Sequence, residues 1–243
     1  MSERPRRSPP AATGGREDPS PNLRALRLFS PIAGSYEHCS RVLSLGQDPR
    51  WRRRLVDGLG LGAGSLVLDV AAGTGLLSRL LAARGYRVVA LDQCPEMLAR
   101  AVERGSTALR ARAERLPFGD ATFDGLTFTY LLRYLGEPGA TLGELVRVVR
   151  PGGVVGMVEF GMPARPCRTA WRLYTRGLLP AAGALVSPAW WRVGRFLGPS
   201  IEDFHRSWPP DRLRRLWRDA GLVEVRQARP SLGGALLMWG RRA

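Results

Sequence analysis

The sequence predicts a doubly wound α/β fold: a seven-stranded, mostly parallel sheet flanked by helices. Three observations carry this. Short apolar runs alternate with amphipathic stretches from Ser65 onward. The first run, V-L-D-V-A-A-G-T-G over residues 67–75, breaks into a glycine turn and then a leucine-rich helical pattern. Two apolar runs close the chain, and the last is expected to be antiparallel.

The elements follow in order. Leu23 to Leu61 is helical in pattern. Its two amphipathic segments, F-S-P-I-A-G-S-Y-E-H-C-S-R-V-L-S-L-G and W-R-R-R-L-V-D-G-L-G, each close on a glycine. Ser65–Val70 reads as the first strand and Leu76–Arg84 as a helix. Tyr86–Asp92 is the second strand, Pro95–Arg104 a helix, and Ala108–Arg112 the third strand. Gly125–Tyr130, a helix over Leu142–Val149 and Gly153–Phe160 continue the alternation. Residues 162–207 break it, with Trp171, Tyr174, Trp190, Trp191 and Phe196 set among arginines and prolines, and read as a helical insertion or cap. Pro210–Ala220 is the last helix, and Val223–Arg229 and Ala235–Arg241 are the closing strands. Residues 1–22, rich in Pro, Arg, Ser and Gly, are expected to form a disordered tail, leaving 23–243 as one domain.

Composition narrows the class. A hydrophobic content of 44% over 243 residues is that of a soluble globular protein. The longest uncharged stretch, Gly177 to Trp191, is broken by Pro180 and Pro188 and falls short of the ~20 residues of a membrane span. The first residues lack the apolar core of a secretory signal, and Cys39, Cys94 and Cys167 lie far apart. The expectation is a cytoplasmic protein without disulfides or a metal site. The net charge of +16, all 37 basic residues being arginine, draws the chain toward polyanions. Nucleic acid and the inner face of a membrane are both open on that ground.

The glycine turn builds a nucleotide-sized pocket at a strand's carboxyl end. G-T-G-L-L-S is one glycine short of the dinucleotide fingerprint, so an NAD-type site stays open on the glycines alone. Asp69, just ahead of them, would repel a pyrophosphate and tolerate the cationic end of S-adenosylmethionine. Asp92 ends the second strand, where an acid can take both ribose hydroxyls; its alternative is a helix N-cap.

Further along, A-E-R-L-P-F-G-D-A-T-F-D precedes R-V-V-R-P-G-G. With V-L-D-V-A-A-G-T-G and Asp92, this resembles the class I S-adenosylmethionine-dependent methyltransferases. Y-E-H-C-S-R-V-L-S-L-G-Q-D-P-R-W-R-R, T-F-T-Y-L-L-R-Y, V-E-F-G-M-P and Y-T-R-G-L-L-P-A-A-G narrow the resemblance to the ubiquinone/menaquinone biosynthesis C-methyltransferases, from about residue 28 to the end.

The resemblance implies a Rossmann-like methyltransferase sheet and S-adenosylmethionine as cofactor. Gly73, Thr74 and Gly75 would hold its methionine part, with Ala71 beside them, and Asp92 and Gln93 its ribose. Arg112 and Ala113 would flank the adenine, and Thr129 would sit beside the sulfonium. It also implies a lipophilic acceptor, a demethylmenaquinol-like polyprenyl quinol methylated at a ring carbon; another small aromatic acceptor is the alternative. Arg133 would stabilise the quinol oxyanion, or be a structural arginine. Tyr36, Glu37, Glu159 and His205 would line the acceptor pocket. The chain departs from the family pattern at Arg112, Glu37, Ser40 and Tyr134, and arginine cannot accept a hydrogen bond from adenine. The insertion would cap the pocket or rest on a membrane interface. A homo-oligomer is compatible with all of this. A nucleic-acid substrate is disfavoured by scattered arginines and the lack of an RNA-binding motif.

Overall fold

A computed structural model describes the chain from residue 21 to residue 243. The tail expected over residues 1–22 lies outside the described residues except for Pro21 and Asn22, which open the first helix, α1 (Pro21–Phe29). The segment read as one helix from Phe29 to Gly46 is interrupted. A 3-10 turn at Ser30–Ile32 holds Pro31, which has no N–H to give a helix, and α2 (Tyr36–Leu43) starts afresh. Next comes α3 (Asp48–Asp57).

The alternating part then runs β1 (Leu66–Val70), α4 (Leu76–Ala83), β2 (Arg87–Asp92), α5 (Pro95–Glu103), β3 (Ala108–Arg110) and β4 (Phe123–Thr129). It continues through α6 (Pro138–Arg147) and β5 (Val149–Phe160). Two boundaries differ from the pattern reading. Pro138 serves as an N-terminal helical residue, so α6 begins before Leu142. The R-P-G-G turn lies inside β5 as an irregularity, where the register shifts between Phe123 and Gly125.

Between β5 and the last helix lie α7 (Cys167–Leu173), a π turn (Tyr174–Leu178), α8 (Leu179–Val186) and α9 (Pro188–Ser207). Helix α10 (Pro210–Asp219) and strands β6 (Leu222–Ala228) and β7 (Ala235–Arg242) complete the chain.

The sheet has seven strands in the order β3-β2-β1-β4-β5-β7-β6. Strands β1 to β5 are parallel, and β7 runs antiparallel to both β5 and β6. Period-two alternation sends Leu68, Val70, Leu126 and Phe128 into a core closed by Trp217, and Val67, Val154 and Val158 into a second core with Leu55, Leu77 and Leu81. Strand order reverses between β1 and β4, so the crevice at their carboxyl ends is where a doubly wound sheet receives a ligand.

Candidate active site

Two residues shape that crevice by backbone conformation. Ala71 after β1 and Tyr130 after β4 have φ of 54° and 56°, a left-handed region costly for residues with a Cβ. Such strain persists only where the surroundings fix it, and it clusters at sites. Gly73 (φ 58°) continues the turn, and a Cβ there would meet nothing within 4 Å. Gly75 (φ 77°) caps α4; a Cβ on it would stand 3.1 Å from the Ala101 Cβ. This glycine is required by packing against α5 and does not line the crevice.

The turn opens on a cavity of about 110 Å³ bounded by Ala71, Gly73, Thr74, Asp92, Ala113 and Thr129, with Gln93 also on its wall. Asp92 is 9% exposed. Its Oδ2 accepts from the Gly73 amide (2.7 Å) and its Oδ1 from the Cys94 amide (2.8 Å). Burial raises its pKa, and these amides oppose the rise. Each oxygen keeps a lone pair for a further donor, so Asp92 fixes the turn that leads into α5 and faces the cavity. The N-cap of α5 is Cys94, so the helix-cap alternative for Asp92 does not hold.

Other expected contacts fall elsewhere. Asp69 does not line the cavity: it is 1% exposed, on the Val67 face of β1, and accepts from Ser78 Oγ (2.6 Å) and Thr127 Oγ1 (3.0 Å). Burial pushes its pKa up to about 6. It ties β1 to α4 and β4, and its charge cannot select a cofactor by direct contact. Arg112 points to solvent beside Glu114 (3.4 Å), and it is Ala113 and Glu114 that reach the cavity wall. Glu37 lines neither of the two cavities of the crevice. It accepts from Thr74 Oγ1 (3.1 Å) and pairs with Arg79 (3.1 Å) and Arg104 (3.2 Å), bracing the glycine turn from outside.

The second cavity, of about 280 Å³, lies under the α7–α9 segment and is predominantly apolar. Phe29, Tyr36, Tyr130 and Tyr134 line both cavities and mark the boundary, or neck, where the two adjoin. Tyr36 stacks on Trp190 (6.4 Å between ring centroids) and Tyr130 on Phe160 (4.3 Å). Burial pushes the Tyr36 hydroxyl up to about 12, so it stays protonated and serves as a neutral donor.

Arg133 borders this second cavity, but its charge is engaged. Nε donates to Glu159 Oε1 (2.8 Å) and Nη1 to Ser200 Oγ (2.9 Å), in an ion pair whose side chains are 1% and 0% exposed. Glu159 thus orients Arg133 and does not line the cavity. His205 is absent from the wall as well: its Nε2 lies 2.8 Å from the Phe160 carbonyl, and burial lowers its pKa. It borders a separate surface recess with Arg168, Arg172, Arg206 and Arg229. Tyr134 and Glu159 each keep a buried oxygen, Oη and Oε2, without a hydrogen-bond partner among the described residues.

A cluster whose charged pair lies within the N-terminal Y-E-H-C-S-R-V-L-S-L-G-Q-D-P-R-W-R-R motif, but to which the sequence reading gave no role, sits beside the neck. Arg52 (3% exposed) donates from Nε to both oxygens of Asp48 (3.0 and 2.9 Å) and from Nη1 to Thr129 Oγ1 (3.2 Å). Tyr130 Oη donates to Asp48 Oδ1 at 2.6 Å. Arg52 faces the first cavity and Asp48 the second, so one buried ion pair spans both. The available signal was the i, i+4 spacing of Asp48 and Arg52 on a helix that also presents Trp51 and Leu55 inward.

Residues 20–242 match the model of the ubiE/COQ5 methyltransferase family. The chain belongs to this family. It is an S-adenosylmethionine-dependent methyltransferase, and curated relatives agree along most of its length. The demethylmenaquinone methyltransferase of Renibacterium salmoninarum is 38% identical over 82% of this chain and 83% of the relative. That of Thermus thermophilus is 37% identical over 88% of this chain and 100% of the relative. Among solved structures, a SAM-dependent methyltransferase from Aquifex aeolicus superposes with a TM-score of 0.57 at 20% identity, covering 79% of this methyltransferase and 89% of that chain. The [4+2]-cyclase SpnF superposes with a TM-score of 0.59 at 15% identity over 92% and 96% of the two chains. A fold shared with a cyclase does not specify the chemistry. The sequence family does.

Proposed function

We propose that this methyltransferase transfers the methyl group of S-adenosylmethionine to a ring carbon of a demethylmenaquinol-like polyprenyl quinol. One observation carries the reading: an apolar cavity of about 280 Å³ adjoins the glycine-turn cavity at a neck where Phe29 and three tyrosines line both. An acceptor in the second cavity would meet a cofactor in the first at that neck.

The residues of the first cavity fit the cofactor. Open space at Gly73 lets the backbone approach a ligand, and Asp92 offers unused lone pairs to ribose hydroxyls. The Ala113–Glu114 stretch would bound the adenine end, and Thr129, held by Arg52, would stand near the methyl-bearing end. The bound cofactor supplies an electrophilic methyl on a sulfonium. The protein's part is to align the ring carbon and exclude water, which the apolar wall accomplishes. Arg133, its charge balanced by Glu159, would orient a quinol oxygen by hydrogen bonding and not by net charge. The Tyr134 ring, which lines the same cavity, would pack against the acceptor ring. A polyprenyl acceptor resides in a bilayer, so the enzyme meets it at a membrane surface.

The deciding experiment offers labelled cofactor to the purified protein with a demethylated quinol extract, a panel of small phenols and total RNA. Label in the quinol supports the reading. Label confined to the phenols or to RNA would overturn it. Asp92→Ala should weaken cofactor binding by a hundredfold or more, on the order of 3 kcal/mol for a lost pair of charge-assisted hydrogen bonds; near-normal affinity in calorimetry would misplace the ribose.

A further inference from the structure

The outer face of the helices that roof the acceptor cavity is unusual in charge and polarity. Residues 161–200 contain six arginines and not one aspartate or glutamate, and of the six Arg172 and Arg176 pair with Glu202 further along α9. Within this stretch, α8 is apolar on all sides, although only its inner side, with Leu179, Pro180 and Gly183, is buried. A helix apolar all round normally lies in a core or in lipid. Here Leu178 (62% exposed), Leu185 (91%) and Val186 (49%) face outward from the π turn and α8, joined by Trp191 (40%) from the start of α9. The Arg195 guanidinium stands 4.8 Å over the Trp191 ring, and Arg192 beside them is exposed. Leucines at a tip with a Trp–Arg collar match the polarity profile of a bilayer interface, apolar chains below charged headgroups.

The face is also rigid and adjoins the cavity. Any Cβ on Gly183 would come within 2.6 Å of the Trp190 carbonyl oxygen, and one on Gly194 within 2.7 Å of Pro180 Cα, so α8 and α9 form a tight hairpin. Leu179, Trp190 and Val193 of this hairpin line the apolar cavity on its inner side.

We infer that the outer face of the α8–α9 hairpin is a docking surface for an anionic lipid bilayer, seating Leu178, Leu185 and Trp191 among acyl chains and Arg192 and Arg195 among headgroups. The inference deepens the proposed quinol reading by naming where the membrane-borne acceptor is collected. Charge complementarity selects the occupant. A second copy related by symmetry would set the Arg192 and Arg195 patch against itself, which repels. Nucleic acid would satisfy the arginines and leave the leucines exposed to water.

The test is co-sedimentation with vesicles of phosphatidylglycerol and phosphatidylcholine against phosphatidylcholine alone, which requires no acceptor and so stands apart from the quinol assay. The wild-type protein should partition to the anionic vesicles, less so as salt rises. Leu178→Glu with Leu185→Glu should lower partitioning about tenfold or more, because two charges enter the acyl region. Arg192→Glu with Arg195→Glu should do the same through the headgroup contact, covering the case in which the leucine variant fails to fold. Methylation of a soluble short-chain acceptor should be retained in both variants. Failure to bind anionic vesicles, or binding that neither pair reduces, would overturn the surface. So would light scattering that shows a dimer dissolved by the leucine variant, since the occupant would then be a second copy.

Discussion

The Asp48–Arg52 pair shows how a buried charge constrains a site. Both side chains are nearly inaccessible, at 6% and 4%, so neither can recover solvation if its partner is removed. Arg52→Ala should therefore destabilise the fold by about 3–5 kcal/mol. Replacing both by apolar residues, Asp48→Leu with Arg52→Met, should cost far less; urea midpoints of the three proteins give the comparison. A pair found equally damaging in single and double variants would contradict this account. Asp69 makes a different prediction. Its folded pKa of about 6 lies above the ordinary 3.8, so the folded state holds the proton more tightly than the unfolded one. Stability contributed at this site is full below about pH 4 and is lost as pH rises toward 6. Asp69→Asn should remove that loss, so its stability relative to wild type should climb between those pH values; a constant difference across the range would refute it. The Asp69 side chain was misread because the motif shows an acid before glycines and not which face of β1 it occupies. Strand alternation with Val67 was the legible clue. Asp92, Thr74 and Ala113 were legible because each ends or follows a strand at the crevice, where position alone sets exposure to a ligand.

At the scale of elements, the strand–turn–helix units could be read because both faces of the sheet are covered, leaving dense apolar runs separated by glycine turns. The helical segment after β5 was legible as a break in rhythm. The places of His205 and Glu37 were not, because they depend on how α9 and α2 are rotated about their own axes. Fit between elements is tight at the α8–α9 hairpin. Gly194 is buried against Pro180, and an added Cβ would overlap backbone that cannot move without shifting the wall of the acceptor cavity. Gly194→Ala should cost about 1–3 kcal/mol in thermal or urea unfolding. It should also raise the KM for the quinol while leaving cofactor affinity near normal. An unchanged KM would mean that the hairpin does not set the shape of that cavity.

Across the whole molecule, the sheet and the helical additions divide the work. The β1–β4 crevice holds the cavity proposed for the cofactor, the α7–α9 segment roofs the one proposed for the acceptor, and Tyr36, Tyr130 and Tyr134 line both. This division predicts which properties move together. Trp171 lines only the acceptor cavity, so Trp171→Ala should raise the quinol KM about tenfold, the effect of losing ~1.4 kcal/mol of contact, with cofactor affinity unchanged. Tyr36 stands in the neck, stacked on Trp190 and facing both spaces, so Tyr36→Leu should weaken both ligands. It should also reduce the coupling by which one ligand tightens the other, a coupling that must be reciprocal at equilibrium. Calorimetry with S-adenosylhomocysteine, in the presence and absence of a quinol analogue, measures both quantities. If Tyr36→Leu altered only acceptor binding, the two cavities would communicate through Tyr130 and the Asp48–Arg52 pair, the single buried network that reaches both walls by hydrogen bonds among the described residues.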